Sequence, residues 1–435
     1  MITAVLTGDN HLGTYYNRLR PDRLHRRRLA LQAGFRHAVD TALGQKAQLF
    51  LIAGDLFDRP DPRNADRLFV AGQLARLRSA ECAVVSICGN HDSPRLVAYD
   101  GGTVPLEEMA ALDGLCLLRG DDACGGWAEK TLTLTGTDGL TATVRVRGFD
   151  FRFGIPADVC PLKAWIDGLN GADTRQADLE IVLSHYAVEG WEMPQMVEPV
   201  LSRSNLDRLA ADVIGVGHLH VRNLARLPGG ALLLNPGATE RIHFGEEKHD
   251  SGCYILTLAP SKTADARYVP HPHQPMKTVR FTGDAIETAV GEGEPGDALR
   301  HVLDTLETAL SRFGDRASDA LLRVEWSGSV TRAVYDELDP ETVRQWLMER
   351  CCHAEVSSDL DVRGPGLDTL GDGTSTGGNT DADKEIEAVI HELLGQVRPE
   401  DATTDRDRED AKRQREVLAR AKETLLGAYQ RLYKA

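Results

Sequence analysis

Five short apolar runs, each ending in a polar turn, set the rhythm of the first 250 residues: ITAVLT (2–7), AQLFLIAG (47–54), AVVSIC (83–88), LEIVLS (179–184) and DVIGVG (212–217). Their near-continuous apolar character predicts strands covered on both faces, with helices over 25–43 and 63–79 packed against them. Residues 130–149 alternate instead, TLTLTGTDGLTATVRVRGF, around an Asp-Gly pair, which predicts a hairpin. A further strand pair is expected around 231–235 and 253–258. The pattern describes an α/β sandwich whose functional loops lie at the C-terminal ends of the strands.

Past residue 265 the character changes. KTVRFTG and DALLRVEWSGSV read as strands, 296–313 and 339–351 as helices, and no cluster of metal-ligand residue types occurs there. This predicts a small separate α/β domain at 263–363, after a first domain at 1–262. Residues 364–382 are rich in Gly, Thr and Asp and read as a flexible linker or a loop ordered on binding. Two helical stretches follow within 383–435. The last spaces Leu418, Ala421, Leu425, Ala428 and Leu432 as a heptad-like seam, suited to folding back on its own domain or to docking on a partner's coiled coil.

Bulk properties narrow this picture. A chain of 435 residues fits two to three domains, and its 42% hydrophobic and 27% charged residues are those of a globular protein. No apolar run approaches the ~20 residues of a bilayer span, and the first residues enter a strand directly, so a cytoplasmic protein with no membrane association is expected. Eight scattered cysteines with no CxxC pair predict reduced thiols. A net charge of −16 argues against coating nucleic acid through the overall field, though local basic surfaces remain compatible with it.

The turns after the strands carry the chemistry. Asp9 and His11 stand in TGDNHLG, Asp55 in GDLFD, Asn90 and His91 in GNHD, His185 in LSHY, and His218 and His220 in GHLH. Taken singly, each fragment is an ordinary polar strand exit. Together and in order they describe a two-metal phosphoester hydrolase. Carboxylate, imidazole and amide donors without thiolates suit Mn²⁺, Fe²⁺ or Zn²⁺. Asp9 and His11, two residues apart in an extended turn, can reach one ion, as can His218 and His220. A carboxylate such as Asp55, at the end of a buried strand, is costly unless cations offset it.

This motif set resembles the calcineurin-like metallophosphoesterase superfamily, whose pattern is D-x-H, G-D, G-N-H-D/E, H and G-H-x-H in this order. The resemblance implies that Asp9, His11, Asp55 and His220 hold one metal, and that Asp55, Asn90, His185 and His218 hold the other, with Asp55 bridging. It further implies that His91 acts as general acid or orients the phosphate, with Asp92 close enough to influence it.

GDLFDRPDP, the tail NPGATERIHFGEE after GHLH and the downstream small domain resemble SbcD-type DNA repair exonucleases. That resemblance implies a Mn²⁺-dependent DNA exonuclease and endonuclease. Its fold would be a metallophosphoesterase β-sandwich flanked by helices, then a capping domain at 263–363 and ATPase-docking helices at 383–435. It would form a homodimer that works with an SbcC-like coiled-coil ABC-type ATPase. One departure is Asp58, where family members often carry His.

In the basic stretch NRLRPDRLHRRR, Arg18 and Arg20 are assigned to the DNA backbone. Arg26, Arg27 and Arg28 fit DNA contact and a solvated helix face equally, while Tyr15 and Tyr16 fit base stacking or loop packing. The rival functions are a phosphatase or small-molecule phosphodiesterase of the same superfamily and, last, a non-catalytic scaffold.

Overall fold

The computed structural model describes residues 1–16, 19–95, 103–120, 127–168, 175–192, 198–260, 263–291 and 296–363. Arg18, the linker at 364–382 and the helices expected at 383–435 lie outside the described residues.

The chain begins β1 (Ile2–Thr7), α1 (Pro21–Gly44), β2 (Leu49–Ala53), α2 (Asn64–Ser79), β3 (Ala83–Ile87), α3 (Pro105–Ala111) and β4 (Cys116–Leu117). A hairpin of β5 (Trp127–Thr135) and β6 (Thr141–Phe149) leads to β7 (Leu179–Ser184), then to the short strands β8 (Ala187–Val188) and β9 (Val200–Leu201). After these come β10 (Val213–Val216), β11 (Asn223–Arg226), β12 (Leu232–Asn235), β13 (Gly252–Leu258) and β14 (Asp265–Pro270). The apolar runs thus become strands nearly residue for residue. Proline starts α1, where its missing N–H has no intrahelical partner to lose.

Two six-stranded sheets form, in the orders β14-β13-β1-β2-β3-β4 and β11-β12-β10-β7-β6-β5. In the first, β1 to β4 are parallel and β13 pairs antiparallel with β1. The sheets face each other through one core: Ala4, Leu6, Leu49, Leu51, Val85 and Ile87 from the first meet Val144, Val146, Ile181, Leu183 and Leu234 from the second. The alternate residues of the same strands, Val5, Phe50 and Ile52, point to the other face and pack under α1 and α2 with Leu31, Phe35, Val70 and Leu74. Period-two alternation with both faces apolar is what makes these strands read as continuous hydrophobic runs. This is the sandwich flanked by helices that the sequence pattern predicts.

Strand β14 still pairs with β13, so the first sheet reaches past residue 262. A three-stranded parallel sheet then starts at β15 (Met276–Thr282), with β16 (Leu321–Val330) in its middle and β17 (His353–Val362) beyond. Helices at Gly283–Val290, Asp297–Ser311 and Pro340–Met348 cover it over a core of its own, built from Ile286, Val302, Leu306, Val324, Trp326, Val343 and Leu347.

A polar clasp joins this sheet to the sandwich. Arg27 donates to Gln274 Oε1 at 2.9 Å, Gln274 donates to Asp319 O at 2.7 Å, and Arg23 donates to Cys351 O at 3.0 Å. Arg27 has no exposed surface; it lies 3.4 Å from the buried carboxylate of Glu240 and donates to Arg241 O. It falls with Leu24 and Leu31 on the buried face of α1, so its role is structural. Tyr16 is held the same way, its hydroxyl donating to Ile242 O at 3.1 Å, whereas Tyr15 is 61% exposed. The seven described cysteines are all free. Among the described residues, no helix is long and apolar enough to cross a membrane.

Candidate metal centre

The predicted donors stand at strand ends: Asp9 and His11 after β1, Asp55 after β2, Asn90 and His91 after β3, His185 after β7, and His218 and His220 after β10. Parallel strands from two facing sheets bring these ends together. The backbone is bent hard to do it. Asp9 (φ 47°), His11 (47°), Asp55 (50°) and His218 (88°) all occupy the left-handed region. Such conformations cost about 1–3 kcal/mol each in non-glycine residues and cluster at functional sites. The glycine of GNHD serves close approach instead, since a Cβ on Gly89 would overlap the Asp55 carboxylate.

Each of four imidazoles has one nitrogen on a fixed acceptor. His11 Nδ1 lies 3.1 Å from Asp58 Oδ1, His185 Nδ1 donates to Ala53 O at 2.7 Å, His220 Nδ1 lies 2.6 Å from Glu246 Oε1, and His218 Nε2 lies 2.5 Å from Glu198 Oε2. With those nitrogens protonated, the other nitrogen of every ring carries a lone pair. These lone pairs face further lone pairs. His11 Nε2 is 3.0 Å from His220 Nε2; His185 Nε2 is 3.2 Å from both Asp55 Oδ2 and Asn90 Oδ1; His218 Nδ1 is 3.1 Å from Asn90 Oδ1. Each pair is held by positive charge between its two atoms, a shared proton or a cation. Asp9 Oδ1 accepts the His218 N–H at 3.0 Å, and its buried Oδ2 has no hydrogen-bond partner among the described residues.

The donors divide into two groups. Asp9, His11 and His220 place ligand atoms within 4.8 Å of one another, as do Asp9, Asp55 and His185. Asp9 belongs to both groups, and Asp55 Oδ2 of the second lies 3.6 Å from His11 Nε2 of the first and 3.2 Å from His185 Nε2. The donor set therefore fits divalent cations of the oxygen- and nitrogen-binding kind.

The electrostatics agree. Burial opposes its ionisation, yet His185, His11 and His91 hold the Asp55 carboxyl well below the usual range. Burial likewise opposes the charged imidazoles, yet Asp55 and Asp9 raise His185 to about 9, and Glu246 with Asp9 raises His220 to about 9. The cluster attracts positive charge despite its burial.

His91 clusters with His11 and Asp58, its ring 4.6 Å from that of His11 between centroids. Its side chain is 42% exposed and its Nδ1 lies 3.0 Å from Asp58 O, while its backbone N–H donates to Asp55 Oδ1 at 2.8 Å. Asp92 is engaged elsewhere: its two carboxylate oxygens accept backbone N–H groups of Leu56, Phe57 and Gly89 and lock the GNHD turn to the GDLFD turn. Burial, with the charge of Asp55 second, pushes Asp92 up to about 7. Asp58 orients His11 at 3.1 Å and stands 3.8 Å from His91 Nδ1. Arg20 is exposed and 3.7 Å from Asp22.

Sequence reasoning missed Glu198 and Glu246. Neither follows a strand at a fixed offset from its histidine, although Glu246 sits in the NPGATERIHFGEE tail after GHLH.

The model of the calcineurin-like phosphoesterase family matches residues 2–222, half the chain, and spans every one of these donors. This chain belongs to the calcineurin-like phosphoesterase family. Among curated phosphoesterase relatives, the uncharacterized metallophosphoesterase YhaO of Bacillus subtilis is 40% identical over 228 residues, covering 52% of this chain and 48% of that protein. The DNA double-strand break repair protein Mre11 of Haloferax volcanii is 29% identical over 265 residues, covering 60% and 50% respectively. Its counterpart from Sulfolobus acidocaldarius is 31% identical over 256 residues, covering 58% and 59%. The chain spans about half the length of the curated relatives it matches.

Proposed function

We propose that this phosphoesterase is a two-metal phosphodiester hydrolase that cuts DNA as an exonuclease and endonuclease in repair, the catalytic subunit of an SbcD-type complex with an SbcC-like coiled-coil ATPase. The observation that carries the metal chemistry is the convergence of ligand atoms: four imidazoles, each with its second nitrogen on an acceptor, face one another, Asp55 and Asn90. Asp9, His11, Asp55 and His220 would hold one ion, and Asp55, Asn90, His185 and His218 the other, most simply Mn²⁺. When bound, such a pair neutralises the phosphoryl oxygens and provides a nucleophile effective at neutral pH.

The chain's own groups do the rest. His91 Nδ1 donates to Asp58 O, so Nε2 is the ring's free atom, and from there the doubly protonated imidazolium would give its proton to the departing alkoxide. Asp58 fixes His11 and steadies His91, a task that suits a carboxylate and accounts for Asp in place of the family's frequent His. Arg20, exposed beside α1, and Arg18 hold the DNA backbone. DNA as substrate is supported by the relatives named Mre11 and by the second sheet clasped to the sandwich as a capping domain. In this reading 364–382 is a linker and 383–435 carries the ATPase-docking helices of a homodimeric nuclease.

Parallel assays on linear DNA and on a chromogenic phosphodiester, both with Mn²⁺, test it. Cleavage of DNA is expected, with His91→Ala abolishing it while metal content stays intact. Hydrolysis of the small ester alone would turn the assignment to a phosphatase or small-molecule phosphodiesterase.

A further inference from the structure

Beside the candidate metal centre lies a cavity of about 330 Å³, lined by Tyr15, His243 and Phe244 of the sandwich loops and by Arg323, His353 and Glu355 of the second sheet. Its volume is that of a small-molecule site. It adjoins the donors through one carboxylate: Glu246 Oε1 is 2.6 Å from His220 Nδ1 and 2.9 Å from His243 Nε2, and the two rings are 6.4 Å apart between centroids.

The walls combine flat surfaces with polar edges. Tyr15 leaves 61% of its surface exposed, while the adjacent Tyr16 is tied to Ile242 O and faces Arg27 at 5.2 Å. Arg323 lies 4.4 Å from the Phe244 ring centroid and pairs with Glu355 at 2.8 Å, which fixes the guanidinium as a second flat surface. His353 is 9% exposed, and its buried Nδ1 has no hydrogen-bond partner among the described residues. His353 Nε2 lies 3.8 Å from Glu355 Oε1, and these two residues give the cavity wall its polar edge.

We propose that this cavity holds the nucleobase of the nucleotide whose phosphate lies at the metal centre. The inference rests on the nuclease reading and names the subsite that goes with it. A planar, aromatic, polar-edged group matches Tyr15 and Arg323 for stacking, and His353 and Glu355 for the edge. A sugar lacks the flat face and an aliphatic chain lacks the edge. Stacking tolerates any base, because every base has a π-face. The cavity therefore aligns the strand for cleavage with little regard to sequence.

The test compares deoxynucleoside 5′-monophosphates with deoxyribose 5-phosphate by calorimetry on the full Mn²⁺-loaded chain. The nucleotides should bind about tenfold tighter, the usual size of one stacked base. Tyr15→Ala, at an exposed position where folding is not at stake, should erase most of that difference, and Arg323→Ala should do likewise. Equal affinity for the two ligands, or a full difference retained in both variants, overturns the proposal. If nucleotides show the base-dependent advantage but the wild type leaves DNA uncut, the nuclease reading falls and the pocket stands. If DNA is cut and binding ignores the base, the pocket falls and the nuclease reading stands.

Discussion

Removing Glu246 should weaken one metal site and spare the other. Its carboxylate is buried, with 3% of its surface exposed, and Oε1 receives both His220 Nδ1 at 2.6 Å and His243 Nε2 at 2.9 Å. Oε2 accepts the Ile242 N–H at 2.7 Å. In Glu246→Ala nothing fixes which nitrogen of His220 is protonated, or which way its ring turns. Loss of such an outer partner typically costs 10–100-fold in metal affinity, about 1.4–2.7 kcal/mol. The effect should fall on the ion held with Asp9 and His11. His185 and His218 keep their own partners, Ala53 O and Glu198, so the other site is spared. The orphaned Ile242 N–H adds roughly 1–3 kcal/mol of lost stability. Glu246→Gln is therefore the companion variant, since a Gln oxygen still accepts one of these bonds. Calorimetric titration with Mn²⁺ reads the two sites as separate steps. Unchanged affinities at both, in a variant that melts normally, would refute the reasoning.

Other perturbations follow from buried and exposed charges. Arg27→Ala leaves Glu240, 1% exposed, without its cation and should cost about 3–5 kcal/mol in thermal unfolding, with the salt dependence of DNA binding unchanged. Arg20→Ala should leave stability nearly unchanged and lower the slope of log affinity against log salt by about 1. His271 is 4% exposed, and burial, with His37 second, pushes it down to about 4 from 6.5. A depressed histidine favours the fold while neutral, so this contribution is complete above pH 6.5 and lost as the pH falls towards 4, by up to ~3 kcal/mol. Denaturation midpoints across that range should drop less steeply in His271→Gln than in the wild type.

The donors were legible because the physics that buries them is local. A parallel strand buried on both faces ends at one edge of the sheet, and Asp9, Asp55, Asn90, His185 and His218 each follow such a run. Their outer partners were not. Glu198 and Glu246 meet His218 and His220 across loops, where no periodicity fixes the distance in sequence. Arg27 could have been read from its place between Leu24 and Leu31 on one helix face, but its charge made solvent or DNA the natural guess until Glu240 was seen beneath it. The cavity between Tyr15 and Arg323 depends on two elements some 300 residues apart, and no pattern within either announces it.

Metal stoichiometry in Asp55→Ala tests the account most directly. Asp55 Oδ2 lies 3.6 Å from His11 Nε2 and 3.2 Å from His185 Nε2, so in the proposed site its carboxylate would serve both ions. The wild type should bind two Mn²⁺ per chain, His185→Ala should weaken chiefly one, and Asp55→Ala should weaken both together. A single ion in the wild type, or two ions held undiminished by Asp55→Ala, would contradict it.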